Sequence, residues 1–340
     1  MFDKITAIIK TFERSNKLYS LLDSIKEYYP KMKVVIVDDS KEEKQIIQEN
    51  VKYFKVPFDT GLSAGRNFAI NNIDTEYFLL LDDDFLFNEE TKIETFYNIL
   101  ENTNIDIIGG DVKYLNGRMM QYDGILYLDN KRILHCKKDY YEIKDNYKTC
   151  DIVLNFFLAR TKKIKEVGGW DERLKLAEHT AFFWNHKGKI KVAYTNKVLI
   201  LHDPERTGDY INYRNRARSF FDEYMVRENI RGIMNCNGAL NKSSLYDGSL
   251  FKKIDTIKEN KSIEIKNNKE LNSIINIKPK KYKVVSNIVD NCNRTLGYWL
   301  RNVDIKDRKY LLRLIDEKGW NISKKVSWVE IKVLLNNMNL

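Results

Sequence analysis

The stretch Tyr77-Phe78-Leu79-Leu80-Leu81-Asp82-Asp83-Asp84-Phe85 decides the fold. A short, nearly continuous apolar run that ends in three acids reads as a strand covered on both faces, the pattern of a parallel sheet. Working outward, apolar runs at 5–9, 33–37 and 53–56 alternate with amphipathic stretches at 16–28, 41–50 and 63–72, giving a βαβαβαβ order. This order predicts an α/β chain built on an open, doubly wound, mostly parallel sheet. In such sheets ligands bind beyond the carboxyl ends of the strands. The loops at those ends read Lys10-Thr11-Phe12-Glu13-Arg14, Asp38-Asp39-Ser40 and Asp82-Asp83-Asp84.

Each loop has a chemical reading and a plain one. Along an extended chain residues i and i+2 point the same way, so Asp82 and Asp84 are expected to face one ligand while Asp83 points elsewhere. Two converging carboxylates need a cation, and oxygen ligands beside a phosphate suit Mg²⁺ or Mn²⁺ better than zinc; the alternative is an acidic cap on the helix that follows. Asp38-Asp39-Ser40 can accept hydrogen bonds from a uracil imide or ribose hydroxyls, or can equally cap the next helix. Gly61-Leu62-Ser63-Ala64-Gly65-Arg66-Asn67 opens a helix whose N-terminus and Arg66 suit a phosphate, or it is a glycine-containing turn.

Beyond Asp84 the alternation weakens. Residues 107–112, 153–159, 190–193 and 198–202 read as further strands, 114–147 as hairpins and loops, 161–167 as a short helix and 210–227 as a helix with an Arg/Tyr face. The latter could close over a diphosphate or simply present a solvated face. From about residue 241 the pattern loosens into Lys- and Asn-rich helices, so the chain divides into a catalytic unit at 1–240 and a smaller basic, helical region at 241–340. That region holds 21 Lys and Arg against 11 Asp and Glu, which accounts for the whole net charge of +10. A neutral motif-bearing part argues against a nucleic-acid enzyme, and the basic tail suits an anionic membrane or an acidic glycan, or reflects background composition. No run approaches the ~18 apolar residues of a membrane span, and the first strand starts with no signal-peptide core before it; the expected location is the cytoplasm, peripheral to the inner face of the membrane. Cys136, Cys150, Cys236 and Cys292 lack close spacing, so no disulfide framework or zinc site is expected, in keeping with a reducing compartment.

Together and in this order, Thr11-Phe12-Glu13-Arg14, Val37-Asp38-Asp39-Ser40, Pro57-Phe58, Ala64-Gly65-Arg66-Asn67, Asp82-Asp83-Asp84-Phe85, Gly109-Gly110 and Asn155-Phe156-Phe157-Leu158-Ala159-Arg160-Thr161 resemble family 2-type glycosyltransferases of the GT-A (Rossmann-like) fold. The likeness is greatest to the vertebrate ganglioside β-1,4-N-acetylgalactosaminyltransferases and covers roughly residues 5–215. It implies inverting transfer from a UDP-sugar, GalNAc first with GlcNAc or Gal behind it, to a hydroxyl of a glycan or glycolipid acceptor. By the same resemblance Asp38 and Asp39 bind the uridine, Arg66 lies near the nucleotide, Asp82 and Asp84 hold the metal and diphosphate, and His202 is a third metal ligand or a hydrogen-bonded surface residue. Thr11, Arg14 and Asp83 complete the donor-binding set. For the general base, the turn Gly169-Trp170-Asp171-Glu172 is followed by Glu178-His179 where the family usually has Glu-Asp; Glu178 is favoured, with His179 the second candidate. Two other classes stay open: a nucleotidyltransferase, which would want glycines in the loop after the first strand, and a non-catalytic glycan- or nucleotide-binding module in which the acids are only caps.

Overall fold

The computed structural model describes residues 1–205 and 208–242. The expected helical region at 241–340 therefore lies, beyond its first two residues, outside the described residues. In chain order the elements are β1 (Ile5–Thr11), α1 (Ser15–Tyr28), β2 (Lys33–Asp38), β3 (Val51–Lys55), α2 (Leu62–Asn71), β4 (Tyr77–Asp82), β5 (Phe85–Leu86), α3 (Ile93–Glu101) and β6 (Ile107–Tyr114). There follow β7 (Ile125–Leu128), β8 (Ile133–Lys137), β9 (Glu142–Ile143), β10 (Lys148–Cys150), β11 (Phe157–Arg160), α4 (Thr161–Glu166) and α5 (Glu178–His186). The last are β12 (Val192–His202), α6 (Gly208–Arg214), α7 (Ala217–Arg227), β13 (Gly232–Met234) and β14 (Leu240–Lys242).

The main sheet runs β3-β2-β1-β4-β11-β6-β12-β10-β9, with β5 paired to β12. Its long strands point one way, except β11, which lies antiparallel between β4 and β6. This is the α/β arrangement on a large, mostly parallel sheet that the sequence predicted. The continuous apolar runs follow from two-sided burial. Tyr77, Leu79 and Leu81 of β4 enter one core with α1 and α3, while Phe78 and Leu80 enter the other with α2 and α5. Strand order reverses between β1 and β4, and there the registers Thr11↔Asp38 and Lys10↔Asp82 bring three polar strand ends level.

Several expectations need correction. Residues 41–50 form no helix: Ile46 and Ile47 are the segment's only large apolar side chains, Ile47 is exposed, and Lys44 is turned back to Asp38 and Ser40. The two closing strands are one, β12, with a register shift between Tyr194 and Leu199. The helix expected over 210–227 breaks at Asn215-Arg216 into α6 and α7. Of the run 153–159, only Phe157 onward pairs as strand. Cys136 and Cys236 are disulfide-bonded across a sequence separation of 100. The small second sheet β14-β13-β8-β7 causes this, because β13 lies parallel to β8 with Met234 opposite His135, which places the residues just beyond side by side. The wide spacing of these cysteines was therefore no argument for a reducing compartment.

Gly109-Gly110 sits in β6 because neighbours press on both faces. A Cβ on Gly110 would lie 2.6 Å from the Val198 carbonyl oxygen and 2.8 Å from the Phe96 ring, and one on Gly109 would lie 2.5 Å from Val153 Cβ. The Val198 contact is backbone and cannot rotate away. Gly110→Ala is expected to destabilise the protein by about 1–3 kcal/mol, read as a lower urea midpoint with unchanged slope.

Candidate active site

The three strand ends, the segments 59–62 and 175–176, and α6 surround one cleft, lined among others by Lys10, Phe12, Arg14, Asp39, Asp59, Asp83, Lys175, Tyr210, Tyr213, Arg214 and Arg216. The three acids after β4 do not alternate as a strand would. The strand stops at Asp82 and the chain turns through Asp83-Asp84, so the two-residue period is lost. Asp82, about a third exposed, accepts a hydrogen bond from Arg66 Nη2 at 2.9 Å. Asp83 and Asp84 instead share Arg14: one guanidinium nitrogen binds Asp83 and the other donates to Asp84 Oδ2 at 2.6 Å. Thr11 Oγ1 also donates to Asp83, at 2.7 Å. The expectation that Asp82 and Asp84 face one ligand while Asp83 turns away is thus replaced by a pairing of Asp83 with Asp84.

The other expected site residues separate in the same way. Asp39 lines the cleft, while Asp38 is fully buried and bound by Ser40 N, Tyr53 Oη and Lys44, an anchor for the loop. Arg66 is 2% exposed and lies inside, bridging Asp82 and Glu178 beneath Trp170. At the α2 N-terminus Gly61 N–H donates to Asp39, Leu62 N–H to the Lys175 carbonyl and Ser63 Oγ to the Leu174 carbonyl. Lys10, Asp59 and Lys175 are cleft residues that the sequence did not single out. Lys10 stood in a quoted loop, but no local signal marks the other two.

Burial alone would raise the Glu178 carboxyl, yet the Arg66 guanidinium beside it holds it below the ordinary glutamate range. His179 is different. Burial lowers its imidazole, its Nε2 meets the Val153 carbonyl at 2.7 Å, and its ring lies 5.0 Å from that of Tyr122 and 5.5 Å from that of Phe183. Burial and the adjacent Asp84 push Asp83 up to about 6 against the pull of Arg14. His202 and Arg14 keep Asp84 low despite its burial.

A divalent ion fits part of this site. Asp84 Oδ2 and His202 Nε2 stand 3.3 Å apart, near enough for one ion to touch both, and His202 Nδ1 is buried without a partner. Carboxylate and imidazole suit Mn²⁺ or Mg²⁺ with positions left for phosphate oxygens and water. Asp39, Asp82, Asp83, Asp84 and Glu178 pair with Lys10, Arg14 and Arg66, and Asp84 with His202 as well, a carboxylate-rich set beside which a divalent ion can be held. Asp82 is hydrogen-bonded to Arg66 and lies within electrostatic reach of Asp84 and His202, the other two members of the expected trio. Among the described residues no group of three His, Cys, Asp or Glu is placed to hold a metal.

The cleft is closed by α6. Tyr210 lies over the Arg14 guanidinium at 4.2 Å, Tyr213 packs edge-on against Phe12 and Phe58, and Arg216 forms a two-pronged pair with Asp59 at 2.6 and 3.0 Å.

Residues 6–168, just under half of the chain, match the model of Glycosyl transferase family 2. The β-1,4 N-acetylgalactosaminyltransferase 2 of Mus musculus is 39% identical over 203 residues, 58% of this chain and 39% of that protein. The β-1,4 N-acetylgalactosaminyltransferase 1 of Homo sapiens is 34% identical over 206 residues, 58% of this chain and 38% of that protein. The chain thus spans about two fifths of the length of these relatives. Among solved structures, S. aureus TarS 1–349 in complex with UDP-GlcNAc is similar, at 18% identity and TM-score 0.48, over 66% of each chain.

Arg66→Met would leave two buried or half-buried carboxylates without their cation, and a loss of about 3–5 kcal/mol is expected at pH 7. Glu178 has a depressed folded pKa, so its contribution is complete above the unfolded value of about 4.3 and is lost as pH falls through the folded value. The gap between wild type and variant in urea unfolding should therefore be smaller at pH 4 than at pH 7.

Proposed function

We propose that a family 2 domain makes this protein an inverting hexosyltransferase, which moves a sugar from UDP to a hydroxyl of a glycan or glycolipid acceptor. The observation that carries the reading is the cleft itself: carboxylates, cationic side chains and aromatic rings converge where the sheet order reverses. Relatives named as N-acetylgalactosaminyltransferases support GalNAc as the donor sugar, with GlcNAc or Gal next.

In the proposed reaction the acceptor oxygen attacks the anomeric carbon from the face opposite the diphosphate. The C–O bond to UDP breaks as the new glycosidic bond forms, and the acceptor proton passes to a base. Glu178 suits that role better than His179. It is anionic, and after protonation Arg66 still keeps Asp82 as a partner. A proton on His179 would instead create a cation among aromatic rings and buried backbone. Arg14, Arg214 and Arg216 supply positive charge to the departing diphosphate, and α6 keeps water from the donor. Asp84 and His202 would hold a divalent cation, Mn²⁺ or Mg²⁺, which supplies further charge stabilisation to the leaving group. The basic stretch 241–340 would bring the domain to an anionic membrane surface, where a lipid-linked acceptor is reached. Liposome binding unchanged on deleting 241–340 would remove that part.

The test is UDP release from UDP-GalNAc, UDP-GlcNAc and UDP-Gal with Mn²⁺ or with chelator. Asp84→Asn is expected to abolish the metal-dependent rate. Glu178→Gln should lower kcat by about 10²–10⁴-fold, and His179→Gln should lower it far less. Full turnover by Glu178→Gln alongside a dead His179→Gln would transfer the base role to the imidazole. Absence of UDP release with every donor, in a protein that binds UDP without regard to metal, would leave only a binding module.

A further inference from the structure

We infer that Asn67 is a positioning residue for the proposed transfer: its side-chain amide fixes the Gly169-Trp170 turn, against which the helix bearing Glu178 is seated. The inference rests on the proposed function, with Glu178 as the base, and extends it to a residue outside the cleft lining.

Asn67 is buried, and three hydrogen bonds tie its amide to one short segment. Its Oδ1 accepts the Trp170 N–H at 2.8 Å, while its Nδ2 donates to the Trp170 carbonyl at 2.8 Å and to Glu172 Oε1 at 2.9 Å. The amide thus holds both polar groups of the Trp170 backbone at once, which fixes the turn in rotation as well as in distance. Gly169 makes the approach possible. Its φ is +63°, and a Cβ there would stand 2.4 Å from Asn67 Oδ1.

The turn then seats α5. Glu178, Phe182 and His186 are spaced by four residues and so share one face of that helix. All three meet the turn or what lies under it. Phe182 stacks on Trp170 with ring centroids 4.6 Å apart and planes 20° from parallel, and His186 Nε2 lies 2.7 Å from the Gly169 carbonyl oxygen. Glu178 binds Arg66, whose guanidinium lies 5.7 Å from the centre of the Trp170 ring. The helix begins at Glu178 itself, after Ala177 in the left-handed region at φ 63°, so no earlier helical turn holds the carboxylate. Its place follows from what the rest of that face rests on. Arg66 and Asn67 are consecutive in α2: the first binds the base, and the second sets the wall that both the base's helix and Arg66 lie against.

The experiment measures kcat, donor KM and the urea midpoint of the full chain, with whichever of UDP-GalNAc, UDP-GlcNAc and UDP-Gal it turns over. Asn67→Asp nearly keeps the shape and still accepts the Trp170 N–H, but sets a second acceptor against the Trp170 carbonyl and the Glu172 carboxylate. Its kcat should fall about 10–100-fold with donor KM within about twofold of wild type, since neither Asn67 nor Trp170 lines the cleft. Adding Glu172→Gln offers the new carboxylate an N–H donor and should recover at least about threefold in kcat. Asn67→Ala removes all three bonds without adding charge, suits a helix, and should show the same split. Gly110→Ala, which strains the opposite, α3 face of the sheet, is the stability control and should keep the wild-type kcat while folded. Wild-type kcat in the folded Asn67 variants, a rise in donor KM as large as the fall in kcat, no recovery on adding Glu172→Gln, or an equal loss in Gly110→Ala overturns the positioning role and leaves the donor and base assignments intact. Full turnover by Glu178→Gln removes the base assignment and this inference with it.

Discussion

The site depends on how a crowd of carboxylates is kept ionised at the end of a buried sheet. Asp39, Asp82, Asp83, Asp84 and Glu178 converge from β2, β4 and α5, and an isolated buried carboxylate would protonate rather than stay charged. Three internal cations oppose this. Lys10 holds Asp39, Arg14 holds Asp83 and Asp84, and Arg66 holds Asp82 and Glu178. Each pair joins segments distant in sequence, Arg66 and Glu178 being 112 residues apart. The ion pairs that set the chemistry therefore also fix the loops relative to one another.

The sheet creates the conditions for this crowding. Parallel strands end level, so β1, β2 and β4 present their polar termini along one edge. Helices on both faces supply the dry walls, and α6 adds an aromatic and cationic cover. Glycines mark where backbone or stems must approach closely: Gly110 under the Val198 carbonyl, and Gly65 beside the Lys10 stem. One serves the central sheet and the other the cleft, for the same steric reason.

The acids at the strand ends were visible in the sequence, but their division of labour was not. Asp38 and Asp39 are neighbours in a loop, yet one is sealed inside by Lys44 and Tyr53 while the other reaches the cleft. Asp82 and Asp84 looked like partners by strand periodicity, which holds only while the chain stays extended. Arg66 looked like a phosphate ligand at a helix start, and proved to be the buried counterion of Glu178. Apart from Lys44, six residues from Asp38, the deciding partners lie 15 to 112 residues away, where local pattern carries no information.

By itself the sequence determined the α/β class, the succession of strands along the chain through β4, the two-sided burial of those strands and the edge on which polar groups gather. These follow from local hydrophobic periodicity and from where the apolar runs stop. Tertiary structure alone decided which acid meets which cation, that β11 inserts antiparallel between β4 and β6, that Cys136 bonds Cys236, and that Lys10 shares the cleft with Asp39. Those outcomes depend on segments up to about a hundred residues apart meeting in space, and such encounters are governed by packing and charge compensation rather than by local sequence.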